Sequence, residues 1–201
     1  MGGAAGAQTY EVSASRIYPR IGQAPLGSMS EEKKKDDDTK LKGLYGWGAR
    51  LTWNTPGYYG HELGFNYHRA RLTATVRTTT DGNTVTSVLQ DRVVIRQVYY
   101  NFLMYMMPRG ERWRPYIAVG AHGIEYGAPG FENWPTGKSR HYGFNYGAGI
   151  KLRLLPRALL RLDVRDYVGG KPYDLEREVV TKMGGLLRVM EASAGISITF
   201  K

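Results

Sequence analysis

From Tyr142 onward the chain alternates strictly: Tyr142, Phe144, Tyr146, Ala148, Ile150, Leu152 and Leu154 share one parity, and Gly143, Asn145, Gly147, Gly149, Lys151 and Arg153 the other. Side chains alternate faces along a strand, so this pattern marks a sheet lying between two different environments. The run is long for a globular strand but suits a membrane strand of roughly 9–11 residues that continues past the bilayer. The pattern returns in Tyr45, Trp47, Ala49, Leu51 and Trp53 against Gly46, Gly48, Arg50 and Thr52, and again in Leu63, Phe65 and Tyr67 against Glu62, Gly64, Asn66 and His68. It closes the chain with Ala192, Ala194, Ile196, Ile198 and Phe200 against Ser193, Gly195, Ser197 and Thr199. One parity is apolar and the other small or polar, as a narrow barrel with lipid outside and a polar interior requires.

Eight such segments are predicted, near 9–18, 43–54, 59–77, 88–106, 114–126, 139–154, 159–168 and 185–200. The connections between them alternate in kind. Short turns are expected at Thr55–Tyr58, Pro108–Glu111 and Leu155–Arg157, and long polar loops at about 19–42, 78–87, 127–138 and 169–184. All long loops therefore fall on one rim, the asymmetry of outer-membrane barrels with short periplasmic turns and longer extracellular loops. The expected fold class is all-β: an eight-stranded antiparallel up-and-down transmembrane β-barrel over residues 9–201, after a leader or signal-peptide remnant at 1–8. Trp53, Tyr58, Tyr59, Trp113 and Tyr116 gather near the short turns, where an interfacial aromatic girdle belongs.

Composition changes this picture little. Gly 26 and Tyr 15 are high while apolar residues reach only 42%, too few for a thick conventional core. No cysteine is present, so neither a disulfide framework nor a thiolate metal site is available. No run of eighteen apolar residues exists, which argues against a transmembrane helix but not against strands that alternate. The formal charge of +10 would suit a polyanion. On a barrel, that polyanion is expected to be the headgroups of outer-membrane lipid and lipopolysaccharide rather than nucleic acid.

Taken together, these segments resemble the OmpA-like family of small outer-membrane barrels over nearly the whole chain. The last strand carries most of the resemblance: Ala194, Ile196, Ile198 and Phe200 are similar to the C-terminal signal read by the barrel-assembly machinery, although Lys201 follows the terminal aromatic. Arg114–Ala121, Asn145–Gly149 and Arg161–Tyr167 are similar to the family's looser strand patterns. The resemblance implies export to the outer membrane, no enzymatic activity, no cofactor, and loops displayed at the cell surface. The peptidoglycan-binding domain of larger relatives, and with it cell-wall attachment, is not expected.

The candidate chemistry lies on the inward parity. Arg161, Asp163 and Arg165 alternate onto it, with Arg50, Glu62, Lys151, Arg153 and Glu191 expected beside them. Charges held away from water must be paired, so the expectation is an ion-pair network filling the lumen. A narrow anion-conducting pore lined by the same residues is the alternative, and eight strands leave little room for one. A lipid A-modifying hydrolase is the other alternative; His141 lies near Ser139, but the His-x-Ser spacing of such enzymes is absent, since Gly143 stands two residues after His141. The charged block Glu31–Asp38 reads as a solvated loop that could take divalent cations or lipopolysaccharide phosphates. The Gly43-x-x-Gly46-Trp47 segment is similar to the start of lipocalins, but those soluble barrels are apolar inside, the reverse of the polarity expected here.

Overall fold

The computed structural model describes residues 9–22, 26, 39–80, 83–131, 137–173 and 186–200. The 1–8 leader and the charged block at 31–38 lie outside the described residues. Eight strands follow in order: β1 (Thr9–Ile21), β2 (Thr39–Asn54), β3 (Tyr59–Thr80), β4 (Asn83–Tyr105), β5 (Trp113–Tyr126), β6 (Ser139–Leu155), β7 (Ala158–Gly170) and β8 (Leu186–Phe200). Each pairs antiparallel with its chain neighbours, and β8 returns to pair with β1, so the sheet closes into a barrel.

Closure requires a stagger, and the registers give it. A path through directly paired residues runs Tyr10, Trp53, His61, Phe102, Val119, Tyr146, Asp166, Met190 and back to β1 at Arg20, ten residues beyond its start. Strands staggered in this way tilt by roughly 35–45° and enclose an interior just wide enough for side chains. The alternation supplies the rest. Val12, Leu51, Leu63, Val98, Val119, Phe144, Val164 and Ile196 point outward and are exposed, whereas Glu11, Ser13, Arg50, Glu62, Asn66, Asn101 and Asn145 point inward and are buried. An apolar exposed belt of this extent marks a lipid-facing surface.

At the end that bears the long connections, this polarity reverses. On β3, Tyr67 is the last aromatic on the outer wall; Arg69 and Arg71 follow it outward while Ala70, Leu72 and Ala74 turn inward and are buried. The β3–β4 register is continuous from Tyr59 to Thr80, so no bulge causes the change. The same happens at Arg20 beside Ile21, at Arg96 beside Ile95, and at Arg188 between Leu187 and Val189. The physical reason is that the wall leaves lipid for water at this level: a water-facing wall is polar outside and must be held by an apolar interior. The expectation of an inward face that is small or polar throughout holds only within the lipid-facing belt.

One predicted loop is replaced by strand. The segment 78–87 does not form a long polar connection, because β3 and β4 stay paired up to Thr80↔Asn83. Side chains on both parities of residues 83–88 are exposed there, as expected where the hairpin projects past the barrel. At the closing seam, Ala194, Ile196, Ile198 and Phe200 lie on the outer wall of β8, with Ser197 buried inside against Ser13 at 2.6 Å. A membrane-soluble maleimide is therefore expected to modify a cysteine at Ile198 and spare one at Ser197. The reverse labelling would place the strand one residue out of register, since such a slip exchanges its two faces.

Candidate functional site: the barrel interior

The interior is built in three layers. The middle layer rests on Asp163, whose carboxylate is shared by three guanidinium groups. Its Oδ2 accepts from Arg50 Nη1 at 2.6 Å and Arg161 Nε at 2.9 Å, while its Oδ1 accepts from Arg161 Nη2 and Arg165 Nη2, each at 3.2 Å. Tyr116 adds its hydroxyl to Oδ1. Glu62 serves two of these cations from across the lumen, Arg161 through Nη1 at 2.5 Å and Arg165 through Nη2 at 3.0 Å, and accepts from Thr52 Oγ1 at 3.2 Å. Arg50 is held further by donation to Tyr99 Oη at 2.7 Å and to Ser193 Oγ at 2.9 Å. Glu191 lies one strand from Arg165 in register, and its oxygens accept from Asn66 Nδ2 at 2.9 and 3.0 Å. With Glu191 ionised, three buried arginines face three buried carboxylates, and the layer is neutral.

Glycine makes this layer geometrically possible. Tyr99 is paired directly with Gly64, and Tyr116 with Gly149. A Cβ built on either glycine would collide with the facing phenol ring, so each ring lies over its glycine and reaches the charged centre with its hydroxyl. The small inward residues of the pattern are thus the seats of the large ones.

The layer toward the short turns closes that end. Lys151 contacts Glu11 and donates to Tyr105 Oη at 2.8 Å, and Asn54 Nδ2 donates to Glu11 Oε1 at 2.8 Å. Arg114 stacks its guanidinium 3.4 Å over the Tyr105 ring and donates to the carbonyls of Gly57 at 3.2 Å and Met107 at 3.1 Å. One cation thereby ties two short turns together across the opening. The layer toward the long connections is mostly apolar: Ile21, Leu26, Leu72, Val93, Ile95, Tyr126, Tyr173, Leu187 and Val189 form a single buried cluster with Tyr99 and Tyr167, and His68 is buried at the level of Ile95. Tyr173, from the described start of the last connection, bonds the Gly127 carbonyl and so ties the ends of β5 and β7 together past β6.

Two of the predicted placements are corrected. Arg153 is not in the network: its side chain is exposed, since it stands at the last regular pair of β6 with β7, where the strand runs out toward its turn. Tyr116 is not in the aromatic girdle: it is 1% exposed and shares the inward parity of Arg114. Of the other girdle residues, Tyr58, Tyr59 and Trp113 are exposed near the short turns, and Trp53 stacks on His61 with ring centroids 5.3 Å apart. The structure brings Arg50, Glu62, Arg161, Asp163 and Arg165 into mutual contact and places Lys151 in the neighbouring layer.

Sequence reasoning missed Glu11, Tyr99, Tyr105 and Arg114, and it left Asn66, though assigned to the inward face, outside the network. A signal for them existed in parity alone. Glu11 alternates with Tyr10 and Val12, and Tyr99 and Tyr105 share the parity of the polar Gln97 and Asn101. Aromatic character concealed it, since tyrosine suits either wall of a barrel.

Ser139 Oγ lies 2.6 Å from His141 Nε2 near the end with the long connections. A nucleophilic serine needs a base whose other nitrogen is oriented, commonly by a carboxylate. Among the described residues no carboxylate bonds His141, and no cluster of histidine and acidic residues suited to a metal is found.

Residues 1–200 match the family described as outer membrane protein beta-barrel domain. No curated protein matches the sequence. Among solved structures, OprG, an outer membrane protein of Pseudomonas aeruginosa, is similar with a TM-score of 0.59 at 11% identity, covering 96% of this chain and 95% of that one. Ail, the attachment invasion locus protein of Yersinia pestis, solved with the heparin analogue sucrose octasulfate, is similar with a TM-score of 0.56 at 13% identity, covering 96% of this chain and 99% of that one. At these identities the likeness is one of fold, and it spans the whole barrel. With its closed ring of eight strands, its lipid-facing belt and a family match over nearly every residue, the chain belongs to the outer-membrane β-barrel domain family.

Proposed function

We propose that this protein is a plugged outer-membrane anchor: a rigid barrel that displays its long connections at the cell surface and serves envelope integrity or adhesion. The observation that supports this reading best is the Asp163 centre, where three arginines with at most 1% side-chain exposure, at Arg50, Arg161 and Arg165, are tied across the lumen to shared carboxylates. A conducting path lined by cations needs them hydrated and free to meet a passing anion. Here each is ion-paired to Asp163, Arg161 and Arg165 also to Glu62, Arg50 donates further to Tyr99 and Ser193, and an apolar cluster covers them. The hydrolase reading has the Ser139–His141 contact in its favour but no carboxylate partner among the described residues. Ail, similar in fold, carries attachment in its name, which agrees with a surface role for a barrel of this kind.

Planar-bilayer conductance of the purified protein at high salt tests the plug. The expected result is a silent bilayer. Steady anion-selective openings whose selectivity changes with Arg161→Glu would overturn the reading in favour of a pore. Display is tested on whole cells by replacing residues 23–38 and 174–185 with short linkers: the barrel should still run as a heat-modifiable band on gels, while attachment of the cells falls. Unchanged attachment would remove the connections from the function.

A further inference from the structure

The outer wall of β2–β4 carries an unbalanced cationic row. Lys42 is paired directly across from Arg71, and Arg71 directly across from Arg92, all three outward and exposed. Lys40 and Arg69 flank them at the adjacent outward positions of β2 and β3. Like charges directly opposite one another in a sheet repel. Among the described residues none of these five has a carboxylate within ion-pair distance. The remainder of the wall at this level is arranged differently. Glu125 is shared by Arg96 at 2.9 Å and Arg140 at 2.8 Å, and Asp166 takes Arg188. Among the described residues, uncompensated charge is thus densest in the β2–β4 sector, with Arg20 of the neighbouring β1 beside it.

What lies beneath that sector identifies the counterion. Below the row on the same wall, past the exposed Tyr45, Trp47 packs against Phe65 at 5.7 Å and stacks on Tyr67 at 5.9 Å, near the upper edge of the lipid-facing belt. Aromatic rings of this kind lie at the headgroup level of a bilayer. The cations therefore stand where phosphates of the leaflet would be, with a surface for acyl chains immediately below. A soluble polyanion would have no use for that apolar continuation. Arginine binds phosphate through paired N–H groups, and Arg69, Arg71 and Arg92 supply three such forks on two neighbouring strands.

We infer that the β2–β4 wall is a seat for a phosphorylated glycolipid of the outer leaflet, its phosphates bridging Lys42, Arg71 and Arg92 and its chains lying against Trp47, Phe65 and Tyr67. This rests on the membrane placement argued above, with the upper ends of β2–β4 on the outer side.

The test uses the full-length protein in zwitterionic micelles, titrated with bisphosphorylated lipid A or with lipid A stripped of phosphate. Arg69→Gln, Arg71→Gln and Arg92→Gln are combined in one variant; Arg96→Gln, Arg140→Gln and Arg188→Gln form a second, in which each removed cation was already ion-paired to a carboxylate. The first variant is expected to bind bisphosphorylated lipid A roughly a hundredfold more weakly than wild type, since each cation near an anionic surface is worth about fivefold. The second should lose much less. Without lipid A the first variant should unfold at or above the wild-type temperature, because repulsion has been removed; with lipid A the order should reverse. Equal affinities for the two variants, equal binding of the stripped lipid, or tighter binding of a soluble sulfated oligosaccharide than of lipid A would each overturn the proposal. Because binding is read in micelles, these outcomes are independent of whether whole cells place the barrel and its loops as proposed.

Discussion

Replacing Asp163 by alanine is expected to destabilise the barrel by about 3–5 kcal/mol, the cost of breaking a buried ion pair by removing one partner. The effect is large because Asp163 is bonded to Arg50, Arg161 and Arg165 together, and none of these side chains can reach water from its place in the lumen. Glu62 still faces Arg161 and Arg165, but Arg50 would keep only the neutral oxygens of Tyr99 and Ser193. Urea unfolding of the refolded protein in lipid vesicles measures the loss, with Arg153→Ala as the comparison: Arg153 lies outside the network and its removal should change little. A loss below about 1 kcal/mol for Asp163→Ala would fit solvated charges, whose surface pairs are worth that little, and would contradict a packed lumen.

Arginine placed at Val119 is expected to cost about 2–4 kcal/mol, the penalty for a cation on the lipid face near the bilayer midplane. The same substitution at Val85 should be close to neutral. Surface exposure alone would predict no difference, since Val119 is 56% exposed and Val85 63%. What separates them is the solvent: Val119 lies amid the apolar belt, whereas Val85 lies on the projecting β3–β4 hairpin, where both parities are exposed. Equal and small costs at the two sites would mean that the barrel meets water all the way down. The pair is best measured side by side in vesicles of one lipid composition, because membrane thickness sets the penalty.

The eight strands were legible because alternation is a local property that needs no knowledge of partners. Tyr142–Leu154 declares its two faces by itself, and the succession of such segments with a connection between each and the next then leaves neighbour-to-neighbour pairing as the simplest closure. The inward set Arg50, Glu62, Arg161, Asp163 and Arg165 followed from the same parity. Where it failed, a second influence had entered. Arg153 kept the right parity but lay at the strand's end, the last pair before a register shift, and a strand's parity says nothing of where the strand stops being part of the wall. Tyr116 was placed by nearness to a turn rather than by parity with Arg114, and Arg69–Arg71 against Ala70–Leu72 reversed the pattern without any change of register.

The sequence by itself determined the strand count, the two faces of each strand and the identity of most interior charges, since these depend on period-two spacing and on the cost of burying unpaired ions. Only the tertiary structure decided who meets whom. The ten-residue stagger brings Arg50 of β2 to Asp163 of β7 and Glu62 of β3 to Arg161, pairs separated by 113 and 99 residues along the chain. It also decided that Lys42, Arg71 and Arg92 form a row and that the outer wall exchanges apolar for basic at the level where the interior turns apolar. The reason is geometric: spacing fixes a side chain's face, but its height and its neighbours follow from the register and tilt of the closed sheet, which no single strand contains.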